Sequence, residues 1–124
     1  MNTTSPSILI IDDDPDLLDM YREVLCIDGV NILSALSGKA AFDICKSDQS
    51  IQVIISDANM GEMSGMELLV NLKGHYQSMP VFYLLTGAFN VTEEEVVAAG
   101  GRGLILKPFD LDEILERIKK DIKF

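Results

Sequence analysis

The chain has few of the residues that build disulfide frameworks or zinc sites. It contains two cysteines and one histidine in 124 residues, and either architecture needs more of these residues at closer spacing. Cys26 and Cys45 fall within apolar helical patterns. We therefore expect both to be reduced core residues, as in a cytoplasmic protein.

Basic residues and long apolar runs are also scarce. Ten basic against 20 acidic residues give a net charge of −10, which excludes direct nucleic-acid binding as a favoured function because phosphate backbones attract lysine and arginine. No apolar run approaches the roughly 20 residues that cross a bilayer. Residues 1–7 are short and polar, unlike a secretory signal. We expect a cytoplasmic protein without membrane insertion.

Size and composition predict a single compact domain. A chain of 124 residues with 48% hydrophobic content and four prolines can bury a substantial core. We expect one domain over residues 1–124, with about 1–6 as a flexible N-terminus.

Short apolar runs alternate with helical patterns along the whole chain. Strands are predicted at 8–11, 30–35, 52–56, 81–85 and 103–106. Residues suited to cap the intervening helices follow the runs: Asp14, Ser37, Ser64, Thr92 and Asp110. Such βα units favour an α/β fold with right-handed crossovers. We predict a doubly wound (βα)5 domain of the flavodoxin-like type, with a five-stranded parallel sheet in the order 2-1-3-4-5.

Acidic residues stand where two of these strands should end. Asp12 and Asp13 follow the first strand, and Asp57 follows the third. Because strands one and three are neighbours in the predicted order, the three carboxylates should meet in one crevice beyond the carboxyl ends of the strands. Thr86 and Lys107 end strands four and five on the same rim.

This cluster suggests chemistry with a divalent metal and a phosphate. Two like charges ~4 Å apart repel by roughly 4 kcal/mol near a protein surface, and a hard cation such as Mg²⁺ would offset that repulsion. A carboxylate can attack phosphorus and hold the group as an acyl phosphate. Lys107 and Thr86 could stabilise the phosphoryl charge.

Four segments resemble the receiver domain of two-component response regulators. They are IDDDP at 11–15, SDANM at 56–60, LTGA at 85–88 and LKPF at 106–109. Their order and spacing match the family over nearly the whole chain, which suggests a receiver of the stand-alone, single-domain type. The resemblance implies that Asp57 is the phosphoacceptor. It also implies that Mg²⁺ is held by Asp12, Asp13 and Asp57 with the backbone carbonyl of Asn59.

The resemblance also implies a switch beside the phosphate. Thr86 matches the hydroxyl that follows the phosphoryl group, Gly87 a small residue at the phosphate entrance, and Lys107 the lysine that contacts the phosphate. Pro108 matches a proline that is often cis. Leu104 stands where many receivers have Tyr or Phe, so an aromatic switch is missing and a changed switch is expected.

Such receivers take a phosphoryl group from a histidine kinase or a histidine phosphotransfer protein. They then switch a partner-binding face made of helix four, strand five and helix five toward a downstream protein target, which the sequence does not name. The resemblance therefore implies a signalling phosphoacceptor that promotes only its own phosphorylation and dephosphorylation, rather than an enzyme.

Three other functions compete with this interpretation. The Asp-x-Asp spacing at 12–14 also occurs in haloacid-dehalogenase-type phosphatases, although Pro15 follows it here and no late acidic pair ends a strand. A flavodoxin-like cofactor site would need Ser, Thr or Gly in place of the aspartates, which would repel a bound phosphate. A receiver-shaped module that works without phosphate is the third alternative.

Overall fold

The computed structural model describes residues 5–88 and 91–124. Strands and helices alternate in the order β1 (Ser7–Ile11), α1 (Pro15–Val24), β2 (Asn31–Ala35), α2 (Gly38–Ser47), β3 (Ile51–Asp57), α3 (Gly65–His75), β4 (Val81–Thr86), α4 (Glu93–Ala98), β5 (Gly103–Leu106) and α5 (Leu111–Asp121). Of the predicted flexible segment 1–6, residues 1–4 lie outside the described part. Pro6 is buried, and its carbonyl accepts a 2.9 Å hydrogen bond from the Asn31 amide.

The five strands form one parallel sheet in the order β2-β1-β3-β4-β5, which confirms the predicted fold class and strand order. Its strands are nearly continuous apolar runs because helices cover both faces. One core layer lies between the sheet and α2, α3 and α4, and the other between the sheet and α1 and α5. Within the described ranges, no helix has the length and apolarity to span a bilayer.

The predicted caps begin all five helices. Asp14, Ser37, Ser64, Thr92 and Asp110 each accept a hydrogen bond from a backbone amide in the first turn of their helix. Each cap satisfies one of the amides that have no partner inside the helix. The helices therefore start at the residues that the sequence indicates.

Several local expectations differ from the structure. β1 and β3 begin one residue earlier than predicted, and β4 ends one residue later. Val30 lies before β2, in a turn in which its amide donates to the Ile27 carbonyl. Asp57 is the last residue of β3 rather than the first residue after it. Cys26 is exposed, whereas Cys45 is buried as expected. The prediction for Cys26 was wrong because α1 ends at Val24, so the helical pattern does not extend to that residue.

Candidate functional site

The acidic residues lie together at the carboxyl edge of the sheet. Asp12 directly follows β1, and Asp57 ends β3, the neighbouring strand. One carboxylate oxygen from each of Asp12, Asp13 and Asp57 lies within 4.8 Å of the others. Parallel pairing produces this arrangement, because Ile11 on β1 lies beside Ser56 on β3 and sets the two strand ends level.

Asp12 is a buried carboxylate with one oxygen unpartnered. The residue is 2% exposed, and its Oδ1 accepts a 2.9 Å hydrogen bond from the Asp14 amide. Among the described residues, Oδ2 has no hydrogen-bond partner. Burial raises the pKa of Asp12 above its ordinary value, and the negative charge of Asp57 raises it further. A buried anionic oxygen without a donor is costly unless a ligand compensates it.

Asp57 has a cationic partner in Lys107, which follows β5, two strands away from β3 in the sheet. The Lys107 Nζ lies 2.8 Å from Asp57 Oδ1, and the two side chains are 34% and 11% exposed. The Lys107 amide donates to the Thr86 carbonyl, which holds the start of the loop after β5 against β4. One ammonium offsets only one of the three negative charges. The cluster therefore keeps a net negative charge that favours a cation.

The backbone under Asp57 is tightly packed. The Ala58 amide donates to the Leu85 carbonyl, and the Gly65 amide donates to the Ala58 carbonyl. A Cβ on Gly65 would lie 2.5 Å from the carbonyl oxygen of Asp57 and equally close to the side chain of Leu84. The absence of a Cβ at Gly65 therefore lets the start of α3 lie against the end of β3. This close packing holds the Asp57 carboxylate on rigid elements.

The donor set fits a hard divalent cation. All three grouped side chains offer carboxylate oxygens, and the buried Oδ2 of Asp12 has no donor among the described residues. Oxygen ligands of this kind suit Mg²⁺ or Ca²⁺ rather than the softer transition metals.

Comparison with known proteins identifies the family of the chain. A family model described as "Response regulator receiver domain" matches residues 8–119. The chain is a member of the receiver domain family. The transcriptional regulatory protein YvrH of Bacillus subtilis is 34% identical over 118 residues, which cover 94% of this chain and 49% of that protein. The transcriptional regulatory protein CpxR of Escherichia coli is 30% identical over 112 residues, which cover 90% and 47%.

Solved receivers share the fold. The chemotaxis response regulator CheY4 of Vibrio cholerae matches with a TM-score of 0.80 at 26% identity, over 96% of this chain and 100% of that chain. A response regulator receiver domain protein from Clostridium thermocellum matches with a TM-score of 0.80 at 28% identity, over 94% of each chain. The receiver spans about half the length of the curated relatives it matches.

Four more of the predicted residues border the same edge, whereas Leu104 lies within β5. Thr86 is 1% exposed, and its Oγ1 accepts a 3.1 Å hydrogen bond from the Ala88 amide. Gly87 is exposed, and a Cβ there would lie 3.7 Å from the Lys107 Cβ, an ordinary contact distance. Pro108 follows Lys107 through a cis peptide bond, in line with the resemblance. Asn59 is exposed in the loop after β3.

An apolar groove beside the receiver's acidic cluster was not predicted. It has a volume of about 770 Å³, and its lining includes Met20 and Tyr21 on α1 and Lys107, Pro108 and Phe109 after β5. Burial raises the pKa of Tyr21 to about 12, and the negative charges of Asp12 and Asp57 act in the same direction. The helical pattern of α1 marks Tyr21 only as a core residue. A groove between distant segments leaves no local signal in the sequence.

Proposed function

We propose that this receiver is the phosphoacceptor of a two-component phosphorelay, with Asp57 taking the phosphoryl group and Mg²⁺ as the cofactor. The observation that supports this most strongly is the position of the Asp57 carboxylate. It lies at the rim, 2.8 Å from the Lys107 ammonium and grouped with the carboxylates of Asp12 and Asp13. An arrangement of one nucleophile, one fixed cation and two further carboxylates suits phosphoryl transfer to a side chain.

The transfer itself requires little covalent chemistry from the protein. A carboxylate oxygen of Asp57 attacks the phosphorus of a donor phosphohistidine. The phosphorus–oxygen bond forms as the phosphorus–nitrogen bond breaks, and the electron pair leaves with the donor imidazole. Lys107 then faces the new phosphoryl oxygens instead of a bare carboxylate. Thr86, at the end of the neighbouring strand, is the hydroxyl that we expect to approach them.

The cation would be held by Asp12, Asp13 and Asp57, with the backbone carbonyl of Asn59 as the fourth protein ligand. When bound, Mg²⁺ neutralises charge that develops on the phosphoryl oxygens. Gly87 leaves the entrance to the phosphate position open, and Pro108 fixes the turn after Lys107. In this proposal the receiver promotes only its own phosphorylation and dephosphorylation.

We assign the apolar groove to the phosphodonor, a histidine kinase or a histidine phosphotransfer protein. The groove runs along α1 and borders Lys107, so a partner seated in it would lie next to Asp57. A helix that presents one apolar face is the partner shape that such a groove accepts.

The output face in this proposal is built from α4, β5 and α5. Val97 on α4 and Leu106 on β5 are exposed apolar residues there, at 53% and 47% exposure. These two side chains offer apolar surface to a downstream protein target, in addition to the charged groups of the face. The relay would operate in the cytoplasm, where free thiols such as Cys26 and Cys45 remain reduced.

Mapping the modified residue tests the proposal. The protein is incubated with Mg²⁺ and the small phosphodonor acetyl phosphate, and the modified peptide is identified by mass spectrometry. We expect one phosphoryl group on Asp57, and none when EDTA replaces Mg²⁺. Asp57→Asn should take up no phosphate, whereas Asp19→Asn, which changes an exposed aspartate on α1, should be labelled normally. Labelling of Asp12 instead would support the phosphatase alternative and refute the assignment.

A further inference from the structure

The edge strand β5 is connected to α4 by a side chain. In the described part of the chain, β5 is the last strand of the sheet and pairs only with β4. The amide of Leu104 donates a 3.3 Å hydrogen bond to Glu93 Oε2, at the start of α4. An amide at a sheet edge would otherwise be free to pair with water or another chain. The Glu93 carboxylate satisfies it from within the domain.

Gly103 leaves space for this contact. A Cβ on Gly103 would lie 3.2 Å from Glu93 Oε2 and 3.9 Å from Arg117 Nη2. Without that Cβ, the carboxylate from α4 can lie across β5, and a guanidinium from α5 lies close to the same spot. The charges of Glu93 and Arg117 are opposite, which favours this position of the carboxylate.

Polar contacts hold α4 at both of its ends. The helix has six residues, and Val96 is its one buried member. At its other end, the Lys73 Nζ of α3 lies 3.5 Å from the Ala98 carbonyl. A helix this short is marginal without tertiary contacts. Loss of the contact between Glu93 and Leu104 should therefore change how α4 is held.

The same strand is connected to the acidic cluster at its other end. Lys107, directly after β5, donates from its Nζ to Asp57 Oδ1 and from its amide to the Thr86 carbonyl. Only two residues, Ile105 and Leu106, separate it from Leu104. A continuous series of contacts thus runs from Asp57 through Lys107 and β5 to Glu93.

We propose that Glu93 is a positioning residue that transmits the state of Asp57 to α4 through the Leu104 amide. This inference depends on the proposed function, because the change at Asp57 is its phosphorylation. Once Asp57 bears a phosphoryl group, the Lys107 ammonium faces phosphoryl oxygens instead of the carboxylate Oδ1. The end of β5 adjusts to that new position, and the Leu104 amide moves relative to Glu93. A phosphoryl group can shift α4 only through such a difference in contacts between two states.

Hydrogen exchange in the unphosphorylated protein tests the contact. The Leu104 amide should exchange about fivefold faster in Glu93→Ala, as expected for the loss of one hydrogen bond to a surface amide. Glu93→Gln keeps an acceptor and should restore most of the protection. Glu94→Ala removes the neighbouring charge from the same helix turn and should leave Leu104 unchanged. Equal exchange in wild type and Glu93→Ala, or equal acceleration in Glu94→Ala, would overturn the proposal.

Exchange after treatment with acetyl phosphate and Mg²⁺ tests the transmission. In the wild type, the amides of Lys107 and of Val96 should both change their exchange rates. In Glu93→Ala, the change at Lys107 should persist and the change at Val96 should disappear. An unaltered response of Val96 in that variant refutes the role of Glu93.

Mass spectrometry of Asp57 in the same samples separates the two proposals. A wild type that takes no phosphoryl group refutes the proposed function and the transmission together, whereas exchange of Leu104 still decides whether the contact exists. A phosphorylated wild type with no change at Val96 refutes the transmission alone.

Discussion

The two edges of the sheet treat an aspartate side chain of low exposure in opposite ways. Near the amino edge of the sheet, where the strands begin, both carboxylate oxygens of Asp121 have hydrogen-bond donors. The Tyr83 hydroxyl donates to Oδ2 over 2.5 Å and the Arg102 guanidinium donates to Oδ1 over 3.0 Å. At the carboxyl edge, Asp12 Oδ2 has no partner among the described residues. The same residue type thus supports the fold at one edge and is left in need of a ligand at the other.

Other polar groups at the amino edge are also paired within the chain. The Ser7 and Ser50 hydroxyls lie 2.7 Å apart. The side-chain amide of Gln52 both donates to the Lys123 carbonyl and accepts from the Lys123 amide, each over 2.7 Å. The two hydrogen bonds between Gln52 and Lys123 attach the residues after α5 to β3. No ligand is needed to complete them.

Polar groups that lack a partner within the fold are the ones available for function. Buried polar groups are normally satisfied, and each exception calls for an explanation. At the carboxyl edge three carboxylates face one ammonium, and the deficit is of positive charge. A cation and a charged transferable group are the ligands that would correct it. Four expected outcomes, from the largest effect to the smallest, test this contrast between the edges.

The largest expected effect is at the amino edge. Asp121→Ala removes the acceptor of both Tyr83 and Arg102, so it should lower the free energy of unfolding by about 1–3 kcal/mol. The midpoint of urea denaturation measures this loss. Tyr83→Phe removes only one of the two hydrogen bonds and should cost less. If Asp121→Ala unfolds at the same urea concentration as wild type, the amino edge is not stabilised by these pairs.

The sequence predicts the carboxyl edge far better than the amino edge. The residues of the carboxyl edge can be predicted from the strand ends, since Asp12, Asp57 and Lys107 each mark where an apolar run stops. Helix caps are similarly local, because each depends on residues within one turn. Tyr83 and Asp121 are 38 residues apart, and neither stands in a motif. The contact between Glu93 and the Leu104 amide likewise involves a backbone group, which has no sequence signal.

A smaller effect of opposite sign is expected at the carboxyl edge. Asp12→Asn removes a buried charge from the repulsive cluster, so the variant should be more stable than wild type without metal, by less than about 4 °C in Tm. With excess Mg²⁺ the wild type should gain stability by mass action, and Asp12→Asn should gain less. Asp19→Asn is the control, because it changes the net charge equally at an exposed position. A lower Tm for Asp12→Asn without metal would contradict the contrast between the edges.

The raised pKa of Asp12 makes the stability of the metal-free protein depend on pH. Burial and Asp57 raise the pKa of Asp12 above its ordinary value of 3.8. The contribution of this group to stability is therefore full below 3.8 and is lost as the pH rises through the pKa in the folded state. The stability advantage of Asp12→Asn over wild type should thus grow with rising pH across that interval. An advantage that shrinks instead would show that ionised Asp12 is favoured by the fold.

The smallest effect is expected at Gly87, where shape changes without any change of charge. Among the described residues, a Cβ there would contact only the Lys107 Cβ, at 3.7 Å, so Gly87→Ala should alter the free energy of unfolding by less than about 0.5 kcal/mol. Labelling of Asp57 by acetyl phosphate should also stay within about twofold of wild type, because the carboxylates and the ammonium are untouched. Gly65→Ala is the matched control, since its Cβ would lie 2.5 Å from the Asp57 carbonyl oxygen and should reduce both stability and labelling. Equal losses in the two variants would mean that stability and labelling at the carboxyl edge depend on the shape around Gly87 as much as on the uncompensated charge of the carboxylates.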